Sequence, residues 1–233
     1  MFKHLITANQ RILLSLLGCG SALYFGLTGC NQVGHVSAIS CSSSPTPCLQ
    51  GLAKVSLETT RGPVLLELDG RNAPITAGNF LDLVRRGVYN QTVFHRVIRS
   101  PVPFVVQGGD PASADPKVSP ASYGTGNFID PKTGEARYIP LEFKVKPSSK
   151  MIYGQELSPG LQDRPTLLHD RGAVAMARSS DPNSASAQFY IALENLPELD
   201  GRYAVFGRVV SGMDVVDRIQ QGDKLIRAVV VPN

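Results

Sequence analysis

The sequence predicts a mainly β fold: a closed antiparallel barrel capped at its ends by two α-helices. Three observations lead there. Short apolar runs recur along the chain, separated by Gly, Pro and Asp, as strands joined by tight turns require. Only two stretches carry helical periodicity, one near each end of the globular part. Neither a phosphate-cradling G-x-x-x-x-G-K-S/T loop nor a C-x-x-C pair occurs, so nucleotide-binding and structural zinc readings lose their basis.

The elements follow in order. Lys54–Thr59 and Val64–Leu68 are strand-like and flank the turn-rich Thr60-Arg61-Gly62-Pro63, so a β-hairpin opens the domain. Residues 76–86 set Phe80, Leu83 and Val84 at helical spacing, with Gly87 as a C-terminal stop. Apolar runs around 93–98, 102–107, 173–177, 188–193 and 203–210 supply further strands. Ser211–Gln221 places Met213, Val216 and Ile219 on one helical face between a capping Ser211 and Gly222. Leu225–Val231 is the last strand. Residues 110–170 are the least regular part, with Tyr138–Phe143 as a compact apolar insert, and loops of this length are often functional.

With 42% hydrophobic and 18% charged residues over a length of 233, the chain can bury a core and is not a disordered one. Its net charge of +4 is concentrated at the start: setting aside Lys3 and Arg11 leaves 21 basic against 19 acidic side chains. That balance argues against nucleic acid as a partner.

Residues 12–29 form an uncharged, mostly apolar run behind this basic start, as in a segment carried into a membrane for export. The run ends in Leu27-Thr28-Gly29-Cys30, which resembles the lipobox of bacterial lipoproteins, in which the cysteine is lipidated and becomes the mature N-terminus. Residues 1–29 are therefore expected to be a signal peptide and Cys30 the lipidation site of an extracytoplasmic, membrane-anchored lipoprotein. The alternative is an uncleaved anchor helix, since 18 residues are at the lower bound for spanning a bilayer. Residues 30–52 turn to Ser, Pro, Gln and Gly and read as the lipidated N-terminus and a flexible tether. Cys41 and Cys48 within it either pair in an oxidising compartment or remain reduced, and their spacing does not decide which.

The informative segments are Val93-Phe-His-Arg-Val-Ile98 and Phe104-Val-Val-Gln-Gly-Gly-Asp-Pro111, followed by Met176–Tyr190 and Leu199-Asp-Gly-Arg-Tyr-Ala-Val-Phe-Gly207. These four ordered blocks resemble the cyclophilins, over about residues 53–231 and most weakly across 111–170. The resemblance implies an eight-stranded antiparallel barrel with a helix closing each end, so that 53–233 is an isomerase domain carrying a long loop region at 111–170. It also implies peptidyl-prolyl cis-trans isomerase activity, with no cofactor and no metal.

By the same resemblance Arg96 is the catalytic arginine. Rotation about an X-Pro bond is opposed by about 18–20 kcal/mol of lost resonance. A guanidinium aimed at the prolyl nitrogen hydrogen-bonds the lone pair as the amide twists, a contact that strengthens in the transition state. Phe104, Val105, Tyr190, Leu199 and Tyr203 match the proline pocket, whose apolar walls suit a ring that offers no donor. Gln107 and Gln188 match polar groove residues, and Gln107 has the alternative role of bracing Arg96. Ala177 and Arg178 match the backbone segment that pairs with an extended peptide. The glycine turn Tyr123–Asn127 resembles a loop flanking the substrate.

Many family members carry a tryptophan where Glu198 stands and a histidine where Tyr203 stands. This departure bears on cyclosporin binding more than on activity, because the Tyr203 ring still walls a pocket. None of the four histidines has ligand spacing with Cys or a carboxylate cluster. The expected partners are proline-containing polypeptides, and the membrane through the N-terminal lipid; the expected state is a monomer. The competing expectation is a non-catalytic binding or assembly factor of the same fold at the membrane.

Overall fold

The computed structural model describes Cys41, residues 46–158 and residues 163–232; the leader and Cys30 lie outside the described residues. Among the described residues twelve strands and two α-helices are formed in this order: β1 (Leu52–Thr59), β2 (Gly62–Asp69), α1 (Pro74–Arg85), β3 (Thr92–Val93), β4 (Arg96–Val97), β5 (Val105–Gly108), β6 (Glu142–Lys146), β7 (Met151–Tyr153), β8 (Arg164–Pro165), β9 (Ala173–Met176), β10 (Phe189–Ala192), β11 (Val205–Ser211), α2 (Met213–Arg218) and β12 (Lys224–Val231). No helix among the described residues is long and apolar enough to cross a membrane.

The opening hairpin sets Ala53 opposite Leu68, Val55 opposite Leu66 and Leu57 opposite Val64. Strand alternation carries these residues to one face and Lys54, Ser56 and Glu67 to the other. The hairpin lies mid-sheet, in the strand order β3-β12-β1-β2-β11-β9-β10-β5-β4. The closed eight-stranded barrel expected from the sequence is not what the ladder forms. The run at 93–98 is split at Phe94–His95, its first part pairing with β12 and its second with β5, so nine strands result and the sheet is open there. The cause is local: Phe94 donates its N–H to Asp223 O (2.8 Å) and its carbonyl accepts from Gly222 N (3.0 Å), which engages its backbone with the turn before β12.

Four short strands explain why so much of the sequence reads as uninterrupted apolar runs. In β5, β9, β10 and the start of β11 both faces are covered. One parity, with Val106, Val174, Met176, Phe189, Ile191 and Phe206, joins the main core. There Phe80 of α1 packs against Tyr89, Phe189 and Phe206, with ring centroids 4.9, 5.2 and 5.0 Å away. The opposite parity, with Val105, Ala173, Ala175, Tyr190, Ala192 and Val205, forms a second apolar cluster on the other face of the sheet.

The helix ends were only partly readable. α1 closes with Gly87 at φ 69°, where the Gly87 N–H reaches Val84 O and the Val88 N–H reaches Leu83 O, both at 3.0 Å. Its N-terminus receives no side-chain cap from Ala73. Instead the buried Glu142 carboxylate of β6 accepts the Ile75 N–H (3.1 Å), the Thr76 N–H (2.9 Å) and the Thr76 hydroxyl (2.8 Å). Burial raises the Glu142 carboxyl above its ordinary pKa, against the pull of these hydrogen bonds. α2 does not use the expected Ser211 cap, because Ser211 ends β11 and the helix starts behind Gly212 at φ 86° with no side-chain cap.

Residues 111–170 hold two short 3-10 turns, Pro111–Ala114 and Pro120–Ser122, and a small sheet of order β7-β6-β8. The end of the tether packs on the domain. Leu49 donates to Pro74 O (3.0 Å), and Cys48 and Leu49 lie against the main core. Cys41 and Cys48 form a disulfide with Cα atoms 5.6 Å apart.

Candidate active site

The sheet register assembles a row of functional groups. Arg96 of β4 stands opposite Gln107 of β5, which stands opposite Tyr190 of β10, which in turn stands opposite Ala175 of β9. Directly opposed residues share a face. Arg96 and Gln107 therefore join Tyr190 and the second apolar cluster, on the face turned away from the main core.

Arg96 is exposed, and its Nη1 donates to Gln107 Oε1 at 3.1 Å. Its guanidinium carbon lies 5.8 Å from the centroid of the Phe104 ring. Gln107 Nε2 donates to Gln188 Oε1 (3.3 Å), and Gln188 Nε2 donates to the carbonyls of Gly124 and Gly126 (3.0 Å each). The glycine turn is fixed from beneath by Asp110, fully buried, which accepts from Gly124 N (2.6 Å), Gly126 N (3.2 Å) and Ala112 N (2.9 Å). A relay of neutral amides thus connects the arginine to a rigid loop.

Arg96, Phe104, Val105, Gln107, Ala177, Arg178, Tyr190, Leu199 and Tyr203 line one cleft of about 270 Å³. Gln188 lies in the adjoining, more polar pocket of about 530 Å³, which shares Gln107, Ala177 and Arg178 with the cleft. Phe104, Leu199 and Tyr203 are partly buried around the second apolar cluster, while Val105 and Tyr190 lie buried within it. The Tyr190 and Tyr203 rings meet edge to face, with centroids 5.9 Å apart. The resulting slot is walled by Phe104, Val105, Tyr190, Leu199 and Tyr203, with Arg96 and Arg178 also on its lining.

A family model for the cyclophilin type peptidyl-prolyl cis-trans isomerases matches residues 54–231. This chain belongs to the cyclophilins. A Synechocystis protein named as a thylakoid lumen peptidyl-prolyl cis-trans isomerase is 40% identical to this cyclophilin over 196 residues, covering 79% of this chain and 48% of that relative. This cyclophilin therefore spans about half the length of that relative. Peptidyl-prolyl cis-trans isomerase CYP18-2 of Arabidopsis thaliana is 33% identical over 166 residues, covering 71% of this chain and 79% of the relative. Among solved structures, a Cryptosporidium parvum cyclophilin crystallised in the presence of the dipeptide Ala-Pro matches with a TM-score of 0.56 and 26% identity. That match covers 77% of this chain and 99% of the other.

Three features of this cyclophilin's groove escaped the sequence reading. The Arg178 side chain, read only as part of a backbone segment, is itself a wall. It lies 4.8 Å from the Tyr203 ring centroid, donates to Arg202 O (3.0 and 2.7 Å) and Ser179 O (2.8 Å), and pairs with Glu156 beyond β7. Asp110 was visible only as the end of a Gly-Gly-Asp motif. His169 gave no signal at all. It is 2% exposed, with Nδ1 2.8 Å from Asp200 Oδ1 and Nε2 3.0 Å from the Tyr190 hydroxyl. Burial pushes its pKa below the ordinary histidine value, opposed by Asp200 and, more weakly, by Glu198 and Asp170. Burial likewise raises the Tyr190 phenol.

Proposed function

We propose that this cyclophilin accelerates X-Pro isomerisation in exported proteins as they fold, with Arg96 as the catalytic group and the adjoining slot as the proline site. The observation that carries the reading is the pairing of Arg96, held by a neutral amide, with a slot walled by Phe104, Leu199 and Tyr203, while the other arginine of the lining, Arg178, is paired with Glu156. The partner of Arg96 is a neutral amide, so its positive charge is not cancelled by a carboxylate at the cleft. A pyrrolidine ring seated between Phe104, Leu199 and Tyr203 offers no donor and asks for none. Its amide nitrogen then faces the guanidinium, whose hydrogen bond strengthens as the nitrogen pyramidalises and resonance is lost. Each 1.36 kcal/mol removed from the barrier is a factor of ten in rate. Gln107 fixes the guanidinium before substrate arrives. The Ala177 N–H is already donated to Gln188 O at 2.9 Å, so an extended peptide at that segment would use the carbonyl side.

Three finer assignments belong to the same reading. The chain acts as a monomer, and the two open edges of its sheet, β3 and β4, are joined only by the chain itself through Phe94–His95. Its setting is extracytoplasmic, a reading supported by the Cys41–Cys48 disulfide and by the thylakoid lumen named for the Synechocystis relative. Cys30 carries the lipid anchor. An attached acyl chain contributes about 0.8 kcal/mol per buried methylene, so anchoring lasts when several chains are present.

A protease-coupled assay with an X-Pro peptide tests the activity. The expected result is a saturable acceleration of the cis-to-trans phase by catalytic amounts of the chain; a phase that stays at its uncatalysed rate would contradict it. Fatty-acid labelling of cells expressing Cys30→Ser tests the anchor: the label is expected to be lost, and its persistence would place lipidation elsewhere.

A further inference from the structure

We propose that His169 is a positioning residue for the proline slot, holding its Tyr190 floor and its Leu199 wall in register. This rests on the reading that the slot takes the substrate proline. Four contacts converge on the residue. Its carbonyl accepts from Leu196 N (2.8 Å) and its N–H donates to Asp200 Oδ1 (2.9 Å), so the backbone alone grips both ends of the turn that carries Leu199. The ring adds the Asp200 contact through Nδ1 and the Tyr190 contact through Nε2. The Pro197–Leu199 turn has no side-chain cap of its own, which makes His169 its external anchor.

The chemistry fixes the direction of the chain of bonds. A carboxylate only accepts, so the imidazole proton sits on Nδ1 and the bare Nε2 accepts the Tyr190 hydroxyl. Tyr190 is buried in the second apolar cluster with Val105, Ala175, Ala192 and Val205, none of which has a polar side chain to offer its hydroxyl. Left unpaired, that hydroxyl would forfeit the hydrogen bonds it makes to water in the unfolded chain. His169 therefore permits a tyrosine at the slot floor and sets where its ring lies. Through Asp200 it also sets where Leu199 and, three residues beyond Asp200, Tyr203 stand against that ring. A residue whose role is only to stabilise the fold would lower the melting temperature and leave the Michaelis parameters of the folded fraction alone. A positioning residue moves KM.

The test combines kinetics with spectroscopy. In the full chain, His169→Phe is expected to raise KM for an Ala-Pro peptide about tenfold while kcat changes less than about threefold, a change of about 1.4 kcal/mol in ground-state binding. Tyr190→Phe is expected to raise it less. The two effects should not multiply in the double variant, because both remove the same bond. An unchanged KM in folded His169→Phe, or effects that multiply, would overturn the proposal. Long-range proton–nitrogen spectra of the unmutated chain give a reading that does not depend on the variant folding. The Nδ1-protonated tautomer is expected, with the Nε2 resonance shifting as an Ala-Pro peptide saturates the slot. The opposite tautomer, or a resonance that stays fixed while the Phe104 ring signals move, would also overturn it. If the unmutated chain bound the peptide without turning it over, the isomerase reading would fail and the spectra would still decide on His169.

Discussion

The two sides of the groove are held by different forces. On the Arg96 side a line of side-chain hydrogen bonds runs near solvent from the guanidinium through Gln107 and Gln188 to the glycine turn. On the slot side an apolar cluster is packed on the sheet and tied at one buried point, His169, to the turn that carries Leu199. Bonds of the first kind contribute little to stability, because water competes for them, yet they aim a charge. Contacts of the second kind stabilise the fold and shape a cavity together. Changes on the first side should therefore alter rate without altering stability, and changes on the second should alter both.

The largest effect is expected at Arg96. Arg96→Ala removes an exposed side chain with one amide partner, so the melting temperature should hold while kcat/KM falls by about 10²–10³, the usual cost of deleting a single transition-state donor. A parallel loss of stability would erase the distinction between the two sides. Next comes Leu199→Ala on the slot side. It removes partly buried apolar surface worth about 1.4 kcal/mol, and is expected to raise KM about tenfold and to lower the melting temperature as well. Gln188→Ala should cost about threefold to fivefold in kcat/KM, since Arg96 keeps Gln107 and loses only the second link of the relay. The smallest catalytic effect is expected outside the groove. Cys48→Ser opens the Cys41–Cys48 loop and should lower the melting temperature by a few degrees while kcat/KM stays unchanged. A change in turnover there would mean that the packed tether reaches the site.

The same contrast governs what could be read from the sequence. The groove side is carried by contiguous motifs: Arg96 and Gln107 fall in two blocks eleven residues apart, and period-two alternation on paired strands brings them to one face. The hairpin and α1 were legible for the same reason, being local patterns with their own turn residues. The anchors of the slot side were not. His169 meets Tyr190 and Asp200 at separations of 21 and 31 residues, from a stretch with no periodicity of its own. Glu142 caps α1 from 67 residues away, because the N-cap position is Ala73, which has no acceptor, and the nearby Asn72 is bonded back to Asp69. The split at Phe94–His95 depends on the turn at 222–223, which no local pattern announces. Ser211 has the right residue type for a cap, but Gly212 intervenes with a left-handed backbone, so the helix starts one residue later than the pattern suggests. Sequence spacing reports what a segment does to itself; long-range polar anchors need the fold.

Catalysis is assigned to one guanidinium acting on the twisting amide rather than to substrate capture. Two-dimensional exchange NMR of an X-Pro peptide, with catalytic amounts of the chain or of Arg96→Ala, separates the two directly. The expected result is strong cis–trans exchange peaks with the unmutated chain and near absence with the variant, while peptide-induced shifts of the Phe104 and Tyr190 rings persist in both. Exchange of equal intensity with Arg96→Ala would contradict the account.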